Sequence, residues 1–277
     1  MRQERVRETD YVENERPNTR LEQFFDIFKH RFVELLKLSL LQAVFNMPLI
    51  VSLILFYGLV RSATDINSLM TVFIIQGCSF IISVPVAFIG LTGSFYSIKK
   101  IAFAEGEYAS SSFFIGLKEE WKNGLLIGLI CGFSIALSVI GFFFFYFYLS
   151  SINATISGFG IAILFIQAIV VYIVTIYSVG QIVIYSNKLK YVLKNSFIMT
   201  LMRFPLNLLI FIIHPGIFVT LVLIMDITMY VGVVLLVFIV AVMHTMWMMN
   251  LLGAFDKYIN KENHQEIYRK GLKIEEA

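Results

Sequence analysis

Charge is what this chain has least of. Only 15% of its 277 residues are Asp, Glu, Lys or Arg, against about 25% in soluble domains. The shortage is uneven. Runs of about 20 residues pass with almost no charge, long enough to cross a hydrocarbon core roughly 30 Å thick. These runs do not alternate polar with apolar, which excludes a transmembrane β-barrel. Cysteine is nearly absent too. Cys78 and Cys131 both fall inside apolar runs and read as buried, reduced thiols, so neither a disulfide framework nor a zinc site is expected. The chain has no H-E-x-x-H, no G-x-S-x-G, no P-loop and no paired mid-membrane carboxylates. An enzyme, a cofactor and a metal centre are therefore not expected. A net charge of +3 gives no footing for nucleic-acid binding.

What is there in abundance is apolar surface, 58% of residues. The pattern predicts an all-α, polytopic membrane helical bundle. Six transmembrane helices are expected at 38–60, 70–92, 124–148, 160–184, 206–225 and 229–252. Residues 1–37 form an N-terminal segment, 38–252 the transmembrane domain and 253–277 a C-terminal tail. The first apolar run starts later than a cleaved signal peptide would, so the N-terminus is expected to be retained.

Lysine and arginine set the orientation. They crowd before the first span, after the second, after the fourth and after the last, whereas the loops 61–69, 149–159 and 226–228 carry only Arg61. Positive residues stay on the cytoplasmic side during insertion. Both termini are expected to be cytoplasmic.

Three stretches on that side read as amphipathic helices. In "TRLEQFFDIFKHRFVELL", Thr19 and Glu22 fit a capping box, and an aromatic face follows at helical spacing. Such a helix either lies in the headgroup region or packs on the protein's own cytoplasmic ends. "SSFFIGLKEEWKNG" carries Phe113, Phe114, Leu117 and Trp121 as a stripe. "NKLKYVLKNSFIMTLMRF" precedes Pro205, which opens the fifth span.

The stretch "KKIAFAEGEY" is an island of charge between oily runs. It is expected to be a hydrated turn with Lys99 and Lys100 meeting anionic lipid. Docking of a cytoplasmic partner is the alternative. Lys99, Lys100, Glu105, Glu107 and Trp121 are the candidate contacts with lipid or partner.

Within the membrane, His214 and His244 are the deep ionisable groups. They stand on neighbouring spans, as a proton-sensitive or metal-binding pair or as neutral imidazoles bonding across helices. Asn46, Gln76, Gln167, Gln181, Asn207 and Asn250 are expected in helix–helix hydrogen bonds, a sugar path being the other use. Gly124, Gly128 and Gly132, followed by Ala136, form a small-residue seam for an internal helix or for a second copy of the chain in a homo-oligomer.

The stretch from Leu91 to Leu129 also resembles the YesL-like family of bacterial membrane proteins, a domain of unknown function. The resemblance rests on Thr92, Gly93, Tyr96, Lys99, Lys100, Gly106, Glu107, Phe113, Phe114, Lys118 and Trp121, with Asn46 and Pro48 in the first span. It covers roughly residues 20–130 and implies a six-span inner-membrane protein that accompanies carbohydrate uptake, including ABC-type sugar importers. It supplies no catalytic residue. The expected partners are membrane lipids and a sugar-importer permease or ATPase subunit. Two functions follow as expectations: an accessory component of carbohydrate uptake, or a small transporter in its own right.

Overall fold

The structure, a computed structural model, describes residues 16–105, 108–185, 187–223 and 229–273, with side chains for all of these except 214–238. The chain runs α1 (Arg20–His30), α2 (Phe32–Ser62), α3 (Ile66–Ala102), α4 (Ala109–Phe143), α5 (Ser150–Ile152), α6 (Ala154–Tyr185), α7 (Leu189–Met202), α8 (Phe204–Leu223), α9 (Met229–Phe255) and α10 (Lys261–Asn263). No strand occurs among the described residues. Five helical stretches are long and apolar enough to cross a membrane. They start at Phe32, Ile66, Ala109, Ala154 and Ile239, and α7 with α8 makes a sixth as a pair bent by 92°. The protein is an all-α membrane-type helical bundle.

Long helices replace several expected loops. At 1.5 Å per residue, the 37 residues of α3 reach about 55 Å, well beyond a hydrocarbon core of about 30 Å. The helix therefore continues through Lys99 and Lys100, and the first four residues of the island "KKIAFAEGEY" are helix rather than turn. The stretch around Trp121 is likewise not a separate amphipathic helix. It is the first part of α4, continuous with the third apolar span. Asn123 and Gly124 both keep helical backbone there, so nothing in the sequence breaks the helix.

The N-terminal amphipathic stretch breaks at Arg31, whose φ of −121° and ψ of 20° leave helical space. Leu35 and Leu36 thus belong to α2, and the boundary at residue 37 falls inside that helix. Thr19 caps α1 by accepting from the Glu22 amide at 3.1 Å. The other half of the capping box is different: the Glu22 carboxylate accepts from the Asn18 amide at 2.8 Å.

The buried centre holds Phe95, Phe113, Tyr177, Trp247 and Phe255. Around it the outer faces stay oily. Leu40, Val44, Met47, Val51 and Leu55 on α2 are all exposed and recur every three or four residues, a lipid-facing stripe. Cys131 is buried, but Cys78 is exposed. It lies on the outer face of α3, so an apolar run did not guarantee a place in the core: in a membrane the outside is oily as well.

The glycine seam is used inside the chain. A Cβ at Gly124 would meet Thr92 Cγ2 at 2.7 Å. One at Gly128 would meet Pro85 Cα at 2.6 Å, and one at Gly132 the Phe80 carbonyl oxygen at 2.6 Å. All three contacts are with α3, which approaches α4 closely because these side chains are missing. The seam is therefore filled by an internal helix.

Candidate functional site: the face where α1 meets the segment after α9

Helix α1 and the segment after α9 meet. In α1, Arg20 donates through Nη2 and Nε to Asp256 Oδ2 at 2.7 and 3.0 Å. Asp256 lies just past the end of α9. Its other oxygen accepts from Asn260 Nδ2 at 2.9 Å and from the Arg269 amide at 3.1 Å. The Arg20 and Asp256 side chains are 10% and 11% exposed, so this is a largely buried ion pair with its lone pairs satisfied. Burial lowers the pKa of Arg20, and the charge and hydrogen bond of Asp256 oppose that fall.

Gln23, on the inner face of α1, ties in a third element. Its Nε2 donates to the Ala102 carbonyl at 2.7 Å and to the Gly271 carbonyl at 3.3 Å. It thereby serves one of the carbonyls left over at the C-terminus of α3. The tail then pairs with the start of the chain: the Lys273 amide donates to the Pro17 carbonyl at 3.0 Å, and Arg269 Nη2 to the Asn18 carbonyl at 3.1 Å. Gly271 sits at φ +82° against Ala102, whose carbonyl oxygen a Cβ there would strike. Only glycine adopts that backbone freely.

Three of the candidate contact residues, Lys99, Lys100 and Glu105, lie in this platform. Lys99 Nζ donates to the Val183 carbonyl at 2.9 Å and lies 4.4 Å from the centre of the Tyr96 ring. It thus places a cation at the C-terminus of α6, where exposed carbonyls favour one. Glu105 is shared: Lys100 Nζ and Lys270 Nζ each stand 2.6 Å from one of its oxygens. Burial pushes the Glu105 carboxyl up, but the hydrogen bonds and charges of the two lysines outweigh it and hold the group below the usual carboxylate range. The charges of the island thus hold the turn to the tail. Glu107 lies outside the described residues. Trp121 stands apart on α4, 43% exposed, beside the Lys122 ammonium.

The outer faces of the surrounding helices are apolar. Leu21, Phe25, Phe28 and Phe32 on α1 and its junction with α2 are exposed, while Gln23 and Ile27 face in. On α7, Tyr191, Phe197, Ile198, Leu201 and Met202 are exposed while Val192, Ser196 and Met199 are buried. Each helix packs inward with one side and leaves oily side chains exposed on the other.

The pairing of His214 with His244 lies outside the described side chains. His244 is 6% exposed and sits edge-on to Phe95 at 5.8 Å. His214 has no described side chain. Among the described residues no cluster of His, Cys, Asp and Glu could hold a metal.

The neutral polar residues are hydrogen-bonded, Asn46 within its own helix and the others across helices. Gln42 Nε2 donates to Asn46 at 3.1 Å and to the Ala87 carbonyl at 3.0 Å, and Ser94 donates back to Gln42. Gln76 pairs with Ser52 at 3.0 Å and Gln167 with Ser134 at 2.8 Å. Asn207 Oδ1 accepts from Tyr177 and from Asn250, both at 2.9 Å. Arg203, at the sharp break between α7 and α8, donates to the Asn250 carbonyl at 2.9 Å. A basic residue counted only for orientation is thus built into a polar knot joining α6, α8 and α9.

A pocket of about 430 Å³ with a mixed polar and apolar lining opens on the same face, between the end of α6, α7 and the segment after α9. A second cavity of 370 Å³ is lined from α2, α3, α4 and α6, mainly by apolar side chains. Sequence reasoning missed Arg20, Gln23, Asp256, Asn260 and Gly271. An acidic residue directly after the last apolar run, and a glycine inside a charged tail, were the signals available.

Comparison with known proteins adds no relative: no family model, no curated protein and no solved structure matches this chain.

Proposed function

We propose that the chain is a non-enzymatic accessory component of a bacterial inner membrane, with both termini cytoplasmic, that presents an ordered polar platform to a transport system. The single observation that carries this reading is the closure of α1, the α3–α4 turn and the tail into one hydrogen-bonded face. A segment before the first span and one after the last can touch in this way only if the chain crosses an even number of times. Six crossings fit, and the Lys/Arg bias then assigns that face to the cytoplasm. The exposed apolar sides of α1 and α7 suit the headgroup boundary around it. The carbohydrate-uptake association, with a permease or ATPase subunit as partner, rests on the resemblance to the YesL-like family alone.

The second reading, a small transporter, has less behind it. Gln76, Gln167, Asn207 and Asn250 are engaged in helix–helix hydrogen bonds. Co-purification in mild detergent from sugar-induced cells tests the first reading. Recovery of a permease or ATPase subunit supports it. Recovery of neither, together with sugar uptake by proteoliposomes holding the chain alone, would move the function to transport.

A further inference from the structure

Gln181 is wholly buried in α6. Its Nε2 donates to Ser196 Oγ at 3.0 Å, and its Oε1 has no hydrogen-bond partner. A buried amide oxygen left unmade costs about 1–3 kcal/mol. Turning the amide end for end does not remove the problem, since one of its two polar atoms would still be left over. Gln181 lines the 430 Å³ pocket, a volume within the range of small-molecule sites.

The rest of the lining is mixed, with Ile198, Met199, Met202, Tyr258 and Ile259 beside the polar groups. Three more carboxamides contribute, Asn187, Asn195 and Asn263, with Tyr185 and His264 on the wall. The Tyr185 and His264 rings stand 5.0 Å apart. The Tyr185 hydroxyl is fixed by Asn260, and Asn260 by Asp256, so the wall is tied to the platform. No Asp, Glu, Lys or Arg lines the pocket. An anion would find no counter-charge there and a cation no carboxylate. Carboxamides offer paired donors and acceptors, and ring faces offer an apolar surface for C–H groups. That combination suits a neutral molecule carrying several hydroxyls.

We propose that this pocket binds a neutral polyol, either free or as the headgroup of a glycolipid, with Gln181 taking a hydroxyl as its missing partner. The argument stands on the lining and is independent of the accessory role. A chain that recruits no transporter could still bind the ligand, and the reverse holds too.

The test uses the full chain in phosphatidylcholine nanodiscs, titrated with maltose by saturation-transfer NMR and, separately, prepared with monoglucosyldiacylglycerol and scored by native mass spectrometry. Saturable maltose binding supports a free polyol. Retention of the glycolipid without maltose binding supports a headgroup. In either case Gln181→Leu should weaken binding about tenfold or more. Asn195→Ala and Asn263→Ala, at exposed positions where folding is not at stake, should each weaken it several-fold. Binding of neither probe overturns the proposal, as does binding unchanged in the two asparagine variants, or displacement of the probe by inorganic phosphate.

Discussion

Arg20 and Asp256 are 236 positions apart in sequence and 2.7 Å apart in space. Their contact fastens the first helix to the end of the last. Removing one member leaves the other charged and largely buried, at a cost of about 3–5 kcal/mol. Arg20→Ala should therefore lower the thermal midpoint in detergent clearly and open residues 264–273 to protease. Arg20→Met combined with Asp256→Leu should recover much of that loss, because no buried charge is left. A double variant no better than the single one would show that the packing of the arginine stem matters more than the pair.

Gly271 and Gly58 should respond in opposite ways to the same substitution. At Gly271, alanine would need a φ of +82° and would strike the Ala102 carbonyl oxygen, so the tail should detach from the α3–α4 turn. At Gly58 nothing lies within 4 Å of the added carbon. Alanine there should be neutral or stabilise the helix by up to about 1 kcal/mol. Hydrogen exchange across residues 264–273 distinguishes the two.

The Glu105 bridge gives the platform a pH response. Its carboxyl is held below its ordinary value of 4.5 by Lys100 and Lys270, which outweigh the effect of burial. A group depressed in the folded state contributes stability above its unfolded pKa and loses it as pH falls through the folded one. The contact between the turn and the tail should therefore be intact at neutral pH and loosen only below the usual carboxylate range. Faster tail exchange on acidification, absent in Glu105→Gln, is the expected result.

Single cysteines report the crossing pattern. In a background of Cys78→Ser and Cys131→Ala, Thr64→Cys and Asn153→Cys should react with an impermeant thiol reagent added outside cells. Ser111→Cys, next to the α3–α4 turn, should not. Labelling of Ser111→Cys from outside would reverse the orientation.

Sequence alone determined the class. Apolar runs long enough to span a membrane must form helices, because backbone groups in lipid need partners within their own segment. The spacing of Gly124, Gly128 and Gly132 likewise announced close helix packing. What it left open was which helix fills the seam, since small residues invite any neighbour, and only the fold put α3 there. Lys99, Lys100 and Glu105 read as solvent- or lipid-facing because their partners, Val183 and Lys270, are distant in sequence. The pairing of Arg20 with Asp256 and of Gln23 with Ala102 and Gly271 was invisible for the same reason. Hydropathy reports where each residue stands across the membrane, but not which residues share a level around the bundle. Only tertiary packing decided that α1, the α3–α4 turn and the segment after α9 would close into a single face.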